Sequence, residues 1–135
     1  MIQGQTILNI KDNSGVLQVR CIQVQNKAYR NFGKIGATFI GVVLIIKRKI
    51  KKQSSFKRGD LISGIVIATK KENQTAVFSG IYFKTINQNF GVLISKPKKV
   101  ETKLVPLISR VDGFLPTSFK SSGFIAFETL FKQVI

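Results

Sequence analysis

The chain has 135 residues, 44% of them apolar, which is enough for one domain with a substantial buried core. Its 22 Lys and Arg residues against 6 Asp and Glu residues give a formal net charge of +16, which predicts a polyanionic partner, with nucleic acid ahead of an anionic membrane surface. One Cys and no His exclude a disulfide framework and a zinc finger and remove the commonest catalytic base, so we predict no catalytic residue, no metal site and no cofactor.

Short apolar segments separated by Gly, Asn and charged residues are typical of all-β barrels and sandwiches. The sequence Asp12–Gly15 predicts a turn, because Asp, Asn and Ser side chains cap backbone amides and Gly accepts a positive φ. The predicted strands lie near residues 6–11, 16–25, 37–47, 60–70, 76–86 and 90–95.

The second predicted strand changes its apolar phase part-way along. Leu17, Val19 and Cys21 share one face, whereas Ile22 and Val24 lie on the other. A slip of one residue exchanges the two faces of a strand, so we predict a bulge or bend near Cys21. Cys21 itself is predicted to be a small apolar core residue.

The third and fourth predicted strands, TFIGVVLII and LISGIVIAT, are apolar almost throughout. The apolar run 35–46 is too short for a membrane span and fits a buried strand. We expect both faces of these strands to be covered, one by the barrel interior and the other by the tail, a partner protein or RNA. Glycines that interrupt the apolar runs predict sharp bends at Gly41, Gly64, Gly80 and Gly91.

The connection between these two strands, KRKIKKQSSFKRGD, has seven basic residues among fourteen. Lys and Arg at this density neutralise phosphates, although a solvated charged loop has the same composition. Asp60, beside Gly59, is predicted to be a structural turn residue that caps the next strand. The candidate RNA contacts in the connection are Lys47, Arg48, Lys49, Lys51, Lys52, Lys57 and Arg58.

Further basic residues flank other predicted strands. Tyr29 and Phe32 lie among some of them and would either stack on an unpaired base or belong to the core. Arg20 would extend the same basic surface. The further candidate RNA contacts are Arg30, Lys34, Lys70, Lys71, Lys96, Lys98 and Lys99.

The last twenty residues, PTSFKSSGFIAFETLFKQVI, place apolar side chains at near-helical spacing. Thr117 or Ser118 would cap a short helix there, and its apolar stripe would pack on the barrel. That stripe consists of Phe124, Phe127, Leu130, Phe131 and Val134.

Several strings resemble the universal large-subunit ribosomal protein family uL-fourteen, in order from residue 2 to about residue 110. They are IQGQTILNIKDNSGV, CIQV, FKRGDLISGIVIATKK, IYFKTINQNFGVLIS and ETKLVP. The chain departs from the family pattern at Ile35-Gly36-Ala37, where the family has V-G-D, and in a longer, Phe-rich tail.

The resemblance implies a five-stranded β-barrel with short C-terminal helices. Residues 1–135 would form one domain, with the barrel at about 1–100 and a C-terminal segment at about 101–135 that faces the small subunit. The implied partners are large-subunit rRNA, neighbouring large-subunit ribosomal proteins, small-subunit rRNA through intersubunit bridges, and a ribosome-silencing factor, with no membrane contact. Thr102, Lys103 and Leu104 correspond to the part of the family that meets the small subunit and the silencing factor.

These observations together predict a structural, non-enzymatic constituent of the large ribosomal subunit. The alternatives are a free oligonucleotide-binding barrel that acts on single strands away from the ribosome and a peripheral membrane protein. The excess of Ile, Phe, Lys and Asn, and a start at the family's first residue, favour an organelle-encoded mitochondrial protein. A plastid or an AT-rich bacterium has the same composition.

Overall fold

The computed structural model describes residues 1–25, 32–47, 56–70, 88–94, 109–115 and 131–134. Every regular element in these ranges is a β-strand, which confirms the predicted all-β class. The strands are β1 (Ile7–Ile10), β2 (Val16–Gln25), β3 (Thr38–Ile46), β4 (Leu61–Ala68), β5 (Phe90–Ile94), β6 (Val111–Leu115) and β7 (Phe131–Val134).

Strands β1 to β5 form a closed barrel in sequence order, which confirms the predicted five-stranded barrel. Neighbouring strands are antiparallel, except that β1 and β5 close the barrel in parallel. Closure therefore gives each of the five strands a paired neighbour on both sides. The strand predicted near 76–86 lies outside the described residues.

The barrel interior is filled by an apolar cluster in which Phe39 is the largest side chain. Its ring fits because Gly64 and Gly91 have no side chain. A Cβ at Gly64 would lie 2.5 Å from Phe39 Cζ, and one at Gly91 would lie 3.1 Å from Phe39 Cε1. These two glycines, predicted as bends, therefore make room for the ring; Gly80 lies outside the described residues. The cluster comprises Ile2, Leu8, Ile10, Val16, Val19, Cys21, Phe39, Val43, Ile62, Val66 and Leu93.

Strand β2 contains the predicted bulge, since its pairing with β3 shifts register between Cys21 and Gln23. The bulge leaves Ile22 exposed and returns Val24 to the barrel, where it packs against the core. The prediction that Val24 lies opposite Cys21 was therefore wrong. Leu17 was also misplaced: a second irregularity between Val16 and Val19 turns it out to solvent. An extra residue re-phases every side chain that follows it.

The outer surface of the barrel has two contrasting halves. The sealed wall consists of the outer faces of β4 and β5, where Ile65, Val92 and Ile94 are at most 5% exposed in the isolated chain. Ile65 pairs with Thr38, next to the pair of Phe39 and Gly64, which faces the interior. Because successive side chains of a strand point to opposite faces, Ile65 faces outward. Both faces of β4 are therefore covered from Ile65 onward, as predicted.

The exposed wall comprises the outer faces of β1, β2 and β3 with the first residue of β4. It presents Ile7, Ile22, Ile45 and Leu61 to solvent, around Arg20. The outer face of β3 belongs to this wall, and its Ile45 is 47% exposed. The expectation that the tail, a partner protein or RNA covers this face stays a prediction. Cross-strand pairing places Ile7, Arg20, Val42 and Leu61 in one row across four strands.

A second sheet pairs β6 and β7 in parallel, with Val111 opposite Phe131 and Leu115 opposite Val134. Phe131 and Val134 therefore belong to a strand, and the predicted helix was wrong for these two residues. Parallel pairing between distant segments overrides the local apolar spacing that suggested a helix. Thr117, Ser118, Phe124, Phe127 and Leu130 lie outside the described residues.

The second sheet is joined to the barrel through the predicted turn at Asp12–Gly15. Asp12 and Val111 form an isolated bridge, and the Asn13 amide donates to the Arg110 carbonyl at 3.3 Å. The turn itself is confirmed: the Ser14 amide donates to Asp12 Oδ1 at 2.9 Å, and Gly15 has a φ of 88°.

Candidate nucleic-acid interface

The described part of the chain contains five of the predicted RNA contacts, and all five are exposed: Lys34, Lys47, Lys57, Arg58 and Lys70. The remaining predictions fall outside the described residues. These are the basic residues Arg30, Arg48, Lys49, Lys51, Lys52, Lys71, Lys96, Lys98 and Lys99, and the intersubunit candidates Thr102, Lys103 and Leu104.

Backbone hydrogen bonds hold both ends of the basic connection between β3 and β4 to the barrel. The Gly59 amide donates to the Val43 carbonyl at 2.9 Å, and the Val43 amide donates to the Asp60 carbonyl at 3.1 Å. On the other side, the Lys47 amide donates to the Gly15 carbonyl at 2.8 Å. Because the barrel holds both ends of the connection, Lys47 and the 57–58 pair have defined backbone positions.

Asp60 closes the turn that carries Lys57 and Arg58. The Lys57 amide donates to Asp60 Oδ2 at 2.7 Å, and the Asp60 amide donates to the Lys57 carbonyl at 3.2 Å. Gly59 occupies the third position with a φ of 92°, which the tight turn requires. This confirms the structural role predicted for Asp60. The carboxylate is engaged by the backbone at the base of the turn, whereas the two basic side chains are exposed.

The predicted basic residues do not form one patch. The strand directions place Lys47, Lys57 and Arg58 at the end of the barrel where β3 ends and β4 begins. Lys34 precedes β3 and Lys70 follows β4, so both lie at the opposite end. An RNA contact that uses all five residues must therefore involve both ends of the barrel.

The turn that carries Lys34 closes without the acid of the family pattern. The Ala37 amide donates to the Lys34 carbonyl at 3.0 Å, and Gly36 has a φ of 85°. The Gly36 amide also donates to the Val66 carbonyl at 2.8 Å, which fixes the turn to β4. Nearby, Phe32 is exposed, which excludes the core interpretation for this residue, and Tyr29 lies outside the described residues.

Sequence analysis missed two basic residues next to these ends. Lys11 is exposed, and its Nζ lies 5.1 Å from the centroid of the Phe90 ring. Arg110 is exposed beside the Asp12–Gly15 turn. A signal for Lys11 was available: Leu8 and Ile10 point inward, so strand alternation directs Asn9 and Lys11 outward. Arg110 is brought to the barrel by long-range pairing and has no comparable local signal.

Comparison with known proteins identifies the chain's relatives. The profile of the family described as ribosomal protein L14p/L23e matches residues 1–134, which is nearly the whole chain. The chain belongs to this ribosomal protein family. A relative from Helicosporidium sp. subsp. Simulium jonesii, the large ribosomal subunit protein uL14c, is 30% identical over 135 residues and is matched over the full length of both chains.

Membership of the L14p/L23e family identifies the chain as a structural protein of the large ribosomal subunit. This agrees with the leading prediction, and a free oligonucleotide-binding barrel is not favoured. Proteins of this family have a structural role rather than an enzymatic one, and their partners are rRNA and other ribosomal proteins.

The structure also places the single cysteine of the chain. Cys21 is buried in the core as predicted, and desolvation by burial raises the pKa of its thiol. Within the described ranges, no three Cys, Asp or Glu side chains come together as a possible metal site. No helix in the same part of the chain is long and apolar enough to cross a membrane.

Proposed function

We propose that this protein binds large-subunit rRNA through exposed basic residues at both ends of its barrel. The observation that carries the proposal is the pair Lys57 and Arg58, exposed on a turn that Asp60 and Gly59 hold in place, in a chain of net charge +16. Each phosphate that such a residue neutralises releases condensed counterions, which supplies affinity without sequence preference.

The chain has 17 Lys and 5 Arg residues. Lys acts as a compact point charge, whereas Arg forms planar bidentate contacts, so this composition suits contact with phosphates more than recognition of base edges. The proposed rRNA contacts are Arg30, Lys34, Lys47, Arg48, Lys49, Lys51, Lys52, Lys57, Arg58, Lys70, Lys71, Lys96, Lys98 and Lys99.

The C-terminal part of the chain is proposed to face the small subunit. We divide residues 1–135, taken as one domain, into a barrel at about 1–100 and an intersubunit segment at about 101–135. Thr102, Lys103 and Leu104 would contact small-subunit rRNA in an intersubunit bridge, and a silencing factor would dock at the same residues.

We further propose that the ribosome in question belongs to an organelle. The relative from Helicosporidium has the suffix used for plastid forms, and the Lys-rich composition without Trp or His is typical of an AT-rich organellar genome. The mitochondrion is our first assignment and the plastid the second. Detection of the protein in purified ribosomes of each organelle distinguishes the two.

Sedimentation after a high-salt wash tests the proposed function. We expect the wild-type protein to remain with large subunits, whereas a free nucleic-acid-binding protein would wash off. The variant Lys57→Glu/Arg58→Glu should be retained less, because its two carboxylates repel phosphates. The variant Gln23→Glu/Gln25→Glu, which adds two carboxylates at exposed positions of β2, is the matched control.

A neutral variant adds a quantitative measurement. Log affinity falls as log salt concentration rises, and each lost phosphate contact reduces the steepness of this fall by about 0.7 to 0.9. Lys57→Gln/Arg58→Gln should therefore reduce the steepness for rRNA binding by about 1.5 to 2. Normal retention of the double Glu variant together with an unchanged slope for the double Gln variant would show that this turn does not contact rRNA.

A further inference from the structure

The seam where β1 and β5 close the barrel carries polar side chains that the predicted rRNA contacts do not include. We define the seam patch as Asn9, Lys11, Gln18, Gln88 and Phe90. The parallel register places Asn9 opposite Phe90, and antiparallel pairing places Asn9 opposite Gln18. The patch therefore spans three neighbouring strands on the outside of the barrel.

Three carboxamides of the seam patch form a chain across these strands. Gln18 Nε2 donates to Asn9 Oδ1 at 3.3 Å, and Asn9 Nδ2 donates to Gln88 Oε1 at 2.8 Å. Among the described residues, this arrangement leaves Gln88 Nε2 as a donor and Gln18 Oε1 as an acceptor for a ligand. The two groups lie at opposite ends of the chain, on either side of β1, so a hydroxyl group, which both donates and accepts, suits either of them.

Two lysines flank the carboxamide chain. The Nζ of Lys11 lies over the Phe90 ring, a contact that orders the ammonium group at the surface. The Lys70 amide donates to Asn89 Oδ1 at 3.0 Å, and the Asn9 amide donates to the Asn89 carbonyl at 2.9 Å. Asn89 therefore ties the segment that carries Lys70 to β1. Lys11 follows β1 and Lys70 follows β4, so strand β5 lies between the two lysines.

The carboxylate of Asp12, the residue after Lys11, is engaged in the adjoining turn. Its Oδ1 accepts from the Ser14 amide at 2.9 Å, and its Oδ2 accepts from the Leu93 amide at 3.1 Å. The seam patch itself therefore combines positive charge with neutral amides. Its one aromatic ring is half-buried and lies under Lys11, so the patch offers little apolar area to a protein partner.

We propose that the seam patch binds the ribose-phosphate backbone of an RNA strand. Lys11 and Lys70 contact phosphates on either side of β5, and the carboxamide chain contacts a 2′-hydroxyl, which can both donate and accept a hydrogen bond. This inference rests on the proposed binding of rRNA and adds a site that distinguishes RNA from DNA.

Hydroxyl-radical footprinting of ribose in assembled large subunits tests the inference. We expect Asn9→Ala/Gln88→Ala to expose a short run of nucleotides that the wild-type protein protects, without loss of the protein from the particle. Gln23→Ala, which removes an exposed carboxamide elsewhere on β2, is the matched control and should leave every protection unchanged. Unchanged protection in the double variant would overturn the inference.

Binding to a fragment of the protected rRNA separates the two chemical roles. Replacing the contacted ribose by 2′-deoxyribose should weaken wild-type binding about three- to tenfold and should have little effect on Asn9→Ala/Gln88→Ala. The variant Lys11→Gln should reduce the steepness with which log affinity falls against log salt concentration by about 1. Equal sensitivity of both proteins to the deoxy substitution would also overturn the inference.

The outcomes distinguish this inference from the proposed function. If wild-type protein is absent from washed subunits, the proposed function itself fails. If the protein is retained but the double variant releases a neighbouring protein and leaves the ribose protections unchanged, the patch is a protein contact and the inference fails alone.

Discussion

The sealed and exposed walls are built from similar apolar strands but have opposite environments. On the sealed wall, Ile65 is fully buried although it points away from the barrel interior. On the exposed wall, Ile22 is 49% exposed and Leu61 is 58% exposed. Apolar composition therefore specifies a strand but does not specify whether its outer face is covered.

The two walls also differ in how much they contribute to the stability of the folded monomer. Burial of apolar area stabilises the fold by about 25 cal/mol per Å². Strands β4 and β5 therefore add stability through their inner faces and also through the sealed wall. The outer side chains of the exposed wall contribute far less to the folded monomer. Among the described residues, the interior and the sealed wall thus contribute most of the apolar burial that stabilises the isolated chain.

The largest expected effect comes from truncating the sealed wall. Ile65→Ala should lower the free energy of unfolding by about 3 kcal/mol, because it removes a fully buried side chain. Leu61→Ala, on the same strand but in the exposed wall, should change it by less than about 0.5 kcal/mol. Urea unfolding of the isolated protein, followed by circular dichroism, measures both. Equal losses would refute the distinction between the walls.

A smaller effect is expected inside the barrel, where Gly64 contacts the Phe39 ring. Gly64→Ala should cost about 2 kcal/mol, since the new Cβ would lie 2.5 Å from Phe39 Cζ. Gly59→Ala is the control: open space surrounds that position, and its φ of 92° should cost about 1 kcal/mol.

A second substitution tests the cause of this loss. If crowding of the ring is responsible, Phe39→Leu should cost less in the Gly64→Ala background than in the wild type. Strict additivity of the two free-energy changes would exclude the crowding explanation.

The smallest expected effect concerns Cys21, which lies in the interior behind the exposed wall. It tests whether water reaches this thiol. Burial raises the pKa of Cys21 above its ordinary value of 9.0. Above that pH the thiol ionises in the unfolded chain but stays protonated in the fold, so the unfolded state binds fewer protons and stability falls as the pH rises. Below the ordinary value the contribution does not depend on pH.

Comparison of the wild type with Cys21→Ala isolates this contribution. The difference in unfolding free energy between them should decline above pH 9.0, by at most about 1.4 kcal/mol per pH unit. Chemical denaturation on either side of that pH measures the decline. If the unfolding free energies of the two proteins changed equally with pH, the Cys21 thiol would not be shielded from water in the fold.

Much of the barrel could be predicted because its signals are local. Alternation, turn residues and glycine spacing located β1 to β5, the Asp12–Gly15 turn and the role of Asp60. The predictions that were wrong depended on pairing. Val24 was misplaced because a bulge re-phased β2, and Phe131 and Val134 were assigned to a helix although they pair with β6.

The candidate site divides in the same way. Composition predicted exposed Lys57 and Arg58, but the strand directions separated them from Lys34 and Lys70 at the opposite end of the barrel. The seam patch was not predicted, because β1 and β5 are far apart in the chain and only barrel closure brings Asn9 to Gln88.

The sequence by itself determined the positive charge, the strand-forming segments and the family, since each depends on residue type and order along the chain. The tertiary structure alone decided which apolar faces are covered, which end of the barrel each lysine occupies and which amides meet at the seam. The physical reason is that burial and cross-strand contact depend on register and closure, which bring together residues that local chemistry leaves unrelated.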